Sequence, residues 1–205
     1  EGRISKEFID EMRNKPMFNQ LYMNEWPDED AMDQDGYSPL FSDDFIKQRH
    51  NFNGDIFGNL KLGVDVAGEG SNYSTITLRG RNAAELLYKE HTSDIMGFVG
   101  TIVQVAKEYP NAKIYIDKVG IGKGPYDRLK EIDEVADRVV GVMAGEKADN
   151  PDEFFNKRAE MYWRMREWLQ TAKLVGEEWI DLLDIKYKVQ SDKKIKIKSK
   201  IEMMQ

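Results

Sequence analysis

Three strand-like runs stand almost end to end between Leu60 and His91, and the next such run comes only after a long amphipathic stretch. That order limits the folds open to the chain more than any single motif does. "LKLGVDVA" is nearly apolar and suits a central strand, "AGEGSN" has turn chemistry, and "YSTITLRG" alternates. With "AAELLYKEH" as a third run, residues 60–91 are predicted to form an antiparallel meander. A helix follows, with Ser93 as its cap, Ile95, Phe98, Val99, Ile102, Val103, Ala106 and Tyr109 on one face, and Pro110 ending it.

Beyond it the pattern predicts a fourth strand in "AKIYIDKVG", a Gly-rich turn in "GIGKG", and a helix with Pro125 at its first position. A fifth strand in "DRVVGVMA", a long helix from about Asp152 to Lys173 and a short one near 177–183 come next. Two alternating strands about a Ser-Asp turn, "IKYKVQSDKKIKIKS", close the series. Three strands, helix, strand, helix, strand, helix is the order of the ribonuclease H-like fold. The expected class is therefore α/β, a mixed central sheet with helices on both faces, plus an appended C-terminal β-hairpin.

Residues 1–59 read as an arm. "ISKEFIDEMRN" suits one short helix capped by Ser5, and Pro16, Pro27, Pro39 and the acidic run "DEDAMDQD" follow. Phe18, Tyr22, Trp26, Phe41 and Phe45 are the arm's candidates for packing on the domain after it. The first 60 residues hold 13 of the 37 acids and 6 of the 30 bases, and so carry the whole formal charge of −7. The neutral remainder leaves a nucleic-acid partner open.

The absence of cysteine excludes disulfides, thiolate zinc sites and cysteine nucleophiles, and fits a reducing compartment. With only His50 and His91, a histidine-rich metal site is disfavoured, so a metal would be held by carboxylates and would be a hard ion. No apolar run approaches the ~20 residues of a membrane span, and the reading is of a soluble intracellular domain.

Asp65 and Asp117 are the candidates for chemistry. Each ends an apolar strand run, where a charge is costly unless paired or bound to metal. On neighbouring strands the two carboxylates converge, and a pair of divalent ions ~3.5–4 Å apart would relieve their repulsion and serve phosphodiester hydrolysis. The plainer alternative is two turn aspartates hydrogen-bonded to backbone. Gly120, Gly122 and Gly124 do not make a Walker loop; they are read as a sharp turn that keeps side chains off the site.

In "DEFFNKRAEMYWRMREWLQTAK", Phe154, Phe155, Met161, Tyr162, Met165, Trp168 and Leu169 are expected on one face with Arg158 in its middle, and Asn156 and Glu160 opposite. Arg158 then either forms a structural ion pair with an acid of the sheet or borders the acidic site or a DNA path. Seven lysines, among them Lys194, Lys196, Lys198 and Lys200, crowd residues 186–200. They serve either as a solvated strand edge or as a surface that tracks phosphates.

Together "LGVDVAGEGSNYSTITLRG", "IYIDKVGIGKGPYDRLKE", "FFNKRAEMYWRMREWL" and "IKYKVQSDKKIKIKSKIEM" resemble the nuclease domain of the large terminase subunit, the DNA-packaging motor of tailed bacteriophages. The resemblance covers about Leu60 to the end, giving a nuclease domain over 60–205. Residues 1–59 then resemble the segment joining that domain to an ATPase motor, whose ATP-binding motif this chain lacks. It implies a ribonuclease H-like, Mg²⁺- or Mn²⁺-dependent endonuclease of double-stranded DNA, with Asp65 and Asp117 as catalytic metal ligands. Lys194, Lys196, Lys198 and Lys200 would contact DNA, with Arg158 in support. The family's third metal-binding aspartate lies in a Ser-Pro-Asp stretch after the hairpin, and the sequence reaches Gln205 without one. Portal protein and small terminase subunit are the implied partners, in the host cytoplasm, with the fragment expected to be monomeric. The other readings are a non-catalytic docking or DNA-guiding module and an actin-like, sugar-kinase-type ATP-binding domain.

Overall fold

The computed structural model of the chain describes residues 32–68 and 72–199. The expected helix at Ser5, the aromatics Phe18, Tyr22 and Trp26, part of the "AGEGSN" turn, and Lys200 lie outside the described residues. The described residues cluster into two compact units, one of residues 32–43, 147–167 and 181–199, the other of 44–146 and 168–180.

The arm contributes a two-residue strand, β1 (Ser38–Pro39), and a helix, α1 (Asp43–His50), neither anticipated. β2 (Lys61–Asp65), β3 (Ser74–Arg79) and β4 (Ala83–Glu90) form the predicted meander. α2 (Ile95–Glu108) leads to β5 (Lys113–Asp117), which pairs parallel with β2. α3 (Lys123–Lys130) leads to β6 (Val139–Val142), parallel to β5. After α4 (Lys157–Leu169), β7 (Lys173–Val175) joins β4 in parallel and completes a six-stranded sheet of order β6-β5-β2-β3-β4-β7. The expected mixed sheet is present, with β7 an edge strand that three residues at a helix end did not announce.

The core of this unit is the apolar face of α2 against the sheet. Phe98, Val99, Ile102, Val103 and Ala106 bury against Leu62, Val64, Ile76, Leu78, Ile114 and Ile116, with Leu129 of α3 and Val139 of β6. Each of these side chains other than Ala106 contributes roughly 1.5–3 kcal/mol by leaving water.

In the other unit, β8 (Lys186–Val189) and β9 (Ile195–Ile197) form the expected hairpin, and β1 pairs with β8 to make a three-stranded antiparallel sheet. Pro39 sits at the edge of that sheet, where a missing N–H costs no ladder bond.

Several boundaries differ from expectation. α2 is capped by Asp94, not Ser93: Asp94 Oδ1 accepts the Gly97 N–H at 2.8 Å, and its negative charge also suits the helix dipole. Pro125 lies third in α3, still within the first turn, where amide hydrogens have no intrahelical acceptor. The long helix is shorter at both ends. Residues 153–155 bond instead to Ile195, through Ile195 N–H to the Glu153 carbonyl at 2.8 Å and Phe155 N–H to the Ile195 carbonyl at 2.9 Å. Asn156 then caps α4 by accepting the Ala159 N–H at 3.0 Å. The short helix is a 3₁₀ segment, Ile180–Asp184.

The buried face of α4 also differs. Phe155 and Met161 are exposed, while Ala159, Glu160 and Trp163 are buried. Methionines and aromatics ring this helix, so periodicity selects no single face. Glu160 is tolerated inside because it accepts the Asp149 N–H at 2.7 Å and lies 3.7 Å from the Lys157 ammonium.

Candidate metal centre

β2 reads KLGVD and β5 reads KIYID. Leu62, Val64, Ile114 and Ile116 turn into the core, so alternation sends Asp65 and Asp117 to the opposite face. Val64 is registered beside Ile116, and the two aspartates follow next on their strands. Parallel neighbours run about 4.8 Å apart, so the two residues stand on neighbouring strands at their C-terminal ends. Both residues are exposed.

The loops around them are tightly fitted. Asp117 Oδ1 accepts the Val119 N–H at 2.9 Å, which closes the turn after β5. A Cβ at Gly122 would overlap the Asp117 carbonyl oxygen, and Gly120 has a φ of 59°. Those two glycines are required by geometry, whereas Gly124 meets nothing. A Cβ at Gly68 would come within 2.8 Å of Ile121 Cδ1, so the chain leaving β2 touches the chain leaving β5. Buried Ser74 accepts the Ala67 N–H at 3.0 Å and holds the other side of the β2 loop.

Two exposed carboxylates at the C-terminal ends of two inner strands would suit a hard divalent ion, which commonly keeps several waters and takes only one or two protein carboxylates. Among the described residues no third acid, histidine or cysteine joins them in a metal-sized group.

Sequence reasoning passed over a cluster beside them. The rings of Tyr73 and His91 lie 3.7 Å apart, and Lys89 Nζ is 5.1 Å from the tyrosine ring. Register places them at the Asp65 end, since Thr75 lies across from both Asp65 and Lys89. The signal in sequence was only an aromatic and a histidine flanking two strands.

By sequence, no protein-family model and no curated protein matches the chain. Solved structures do. The nuclease domain of the large terminase subunit gp2 of bacterial virus Sf6 superposes with a TM-score of 0.68 at 15% identity, over 80% of this chain and 90% of that one. A mutant of that domain with manganese and beta-thujaplicinol gives 0.65 at 15% identity, over 82% and 90%. A mutant gp2c with calcium gives 0.64 at 14%, over 80% and 90%. The chain has the fold of a phage large-terminase nuclease domain.

On this terminase-nuclease fold the remaining expected site residues separate. Arg158 is half-buried at the start of α4, with its guanidinium 5.4 Å from the Tyr162 ring. Its Nε has no hydrogen-bond partner, and no acid pairs with it among the described residues. Lys194 lies 3.7 Å from Asp192 across the hairpin turn. Lys196 is half-buried, 5.9 Å from the Tyr37 ring and 5.8 Å from the Phe155 ring. Lys198 is buried, donating to Asp33 and Asp35. Among the described residues no helix is long and apolar enough to cross a membrane.

Proposed function

We propose that this chain is a divalent-metal-dependent endonuclease of the large-terminase kind, cutting double-stranded concatemeric DNA when packaging begins and ends. The observation that carries the reading is the side-by-side placement of Asp65 and Asp117 at the open ends of two parallel strands of this fold. Support comes from the Sf6 nuclease domains, solved with manganese and with calcium.

Asp65 and Asp117 would hold Mg²⁺ or Mn²⁺, one ion or a pair. When bound, the metal supplies an activated water and charge stabilisation at the phosphodiester. The protein's own part is positional. The Val119 N–H fixes the Asp117 carboxylate, and Gly120 and Gly122 keep the turn beside it free of side chains. Lys194, Lys196 and Lys200 are the proposed backbone contacts, while the pairing of Lys198 favours a role in holding the hairpin. Arg158 is proposed as a supporting charge. Portal protein and small terminase subunit are the proposed protein partners.

Plasmid cleavage with Mn²⁺, with Mg²⁺ and with EDTA tests the reading, alongside Asp65→Asn and Asp117→Asn. Metal-dependent cutting that disappears in both variants is expected. Cutting that persists in EDTA, or survives both substitutions, rejects it.

A further inference from the structure

At the other end of β2 from Asp65 the sheet carries a second polar feature. Lys61 is registered against Arg79 of β3 on one side and Lys113 of β5 on the other, so three cations form a row across adjacent strands. Like charges directly opposite one another on a sheet repel. Among the described residues neither Lys61, Arg79, Arg81 nor Lys113 has an ion-pair partner.

Two of the row, Lys61 and Arg79, line a cavity of about 450 Å³ together with Arg81, Phe57, Asn59 and two glycines; no carboxylate lines it. Arg79 stacks on Trp168, its Cζ 4.2 Å from the ring, and its buried Nε has no hydrogen-bond partner among the described residues. Burial, then the charges of Arg79 and Lys113, hold the Lys61 ammonium below its ordinary pKa. The cavity floor is close-packed: a Cβ at Gly80 would come within 2.6 Å of the Phe57 amide nitrogen, and Arg81 N–H donates to the Phe57 carbonyl at 2.8 Å.

We infer that this cavity binds a phosphate group, carried either by a free phosphate compound or by a DNA backbone. An ammonium and two guanidiniums around one space call for an anion whose acceptor oxygens point in several directions, which the tetrahedral phosphate group offers and a planar carboxylate lacks. The volume exceeds that of phosphate alone and leaves room for its carrier, for which exposed Phe57 offers a ring face. Neither Asp65 nor Asp117 takes part, so the inference does not rest on the nuclease reading. With side chains alternating, Lys61 and Asp65 share one face, about 13 Å apart along the strand.

The test is a titration of the full chain in EDTA, followed by NMR at the Trp168 indole N–H, which donates to the Arg81 carbonyl at 2.7 Å. Pyrophosphate should shift that signal saturably, at least about tenfold more weakly in Lys61→Gln, and not at all in Lys61→Gln/Arg81→Gln. A short DNA duplex forms the second arm. A duplex shift that pyrophosphate displaces assigns the phosphate to DNA; a shift with pyrophosphate alone assigns it to a free compound. An indole signal unmoved by either, a duplex shift that pyrophosphate cannot displace, or equal affinity in Lys61→Gln overturns the inference. Lys61→Glu guards against misfolding, because it places a carboxylate opposite Arg79 and Lys113. It should melt no lower than the parent and lose the shift; retained binding there also overturns the inference.

Discussion

The ammonium of Lys198 donates to Asp33 at 2.8 Å and to Asp35 at 3.2 Å, fastening the end of the hairpin to the acidic run of the arm. The hydrogen bond from Lys198, then the Tyr37 amide, holds the Asp33 carboxyl far below its usual range, and Asp33 first, then Asp35, raises the Lys198 ammonium. A depressed carboxylate adds stability that is present above its ordinary value of 3.8 and is lost as pH falls toward the folded-state value. A raised ammonium adds stability that is complete below 10.5 and is lost as pH climbs through its folded-state value. The stability gap between the parent and Asp33→Asn should therefore be widest and flat at neutral pH and should close below 3.8. Urea melts across the acid range measure it; a gap that widens in acid is incompatible with this pairing.

Asp65→Asn and Asp117→Asn each remove one of two adjacent exposed charges. Folding stability is expected to stay within about 0.5 kcal/mol of the parent, since no buried contact is lost. Mn²⁺ affinity by calorimetry should fall at least about tenfold in each. Unchanged affinity in both would place any metal elsewhere.

Gly122→Ala drives a methyl into the Asp117 carbonyl. The backbone must shift, at a cost of about 1–3 kcal/mol, and the carboxylate shifts with it. Lower melting and weaker Mn²⁺ binding are expected together. Gly124→Ala, with open space around it, is the control and should change neither.

Lys193 adopts a φ of 67° in the hairpin turn, where its N–H donates to the Gln190 carbonyl at 2.9 Å. A side chain in that conformation costs roughly 1–2 kcal/mol. Lys193→Gly is expected to raise the melting temperature by a few degrees. A lower melting temperature would mean the lysine side chain contributes more than its backbone strain removes.

The meander, the crossover helix and the aspartate pair were legible because each rests on local periodicity: apolar alternation in KLGVD and KIYID, and a clean apolar face in α2. The α4 face was not, because Met161, Tyr162, Met165 and Trp168 surround the helix while Glu160 is admitted to the interior by a backbone hydrogen bond. β7 depends on Ala83, Ala84 and Glu85 offering an edge, and no property of "KLV" alone reveals that. The cation row was present all along: both strands that end in aspartate begin with lysine, and the four-residue spacing puts the two on one face.

Because β2 and β5 meet only across the intervening meander and helix, the two carboxylates are remote along the chain and close only in the finished sheet. Their partnership is a long-range pairing of the kind that forms late and slowly. A ribosome that has released Asp65 but not Asp117 has made half of this pair. The order of synthesis thus acts as a safety catch: the two adjacent carboxylates exist as a pair only once the crossover is complete, and not before it.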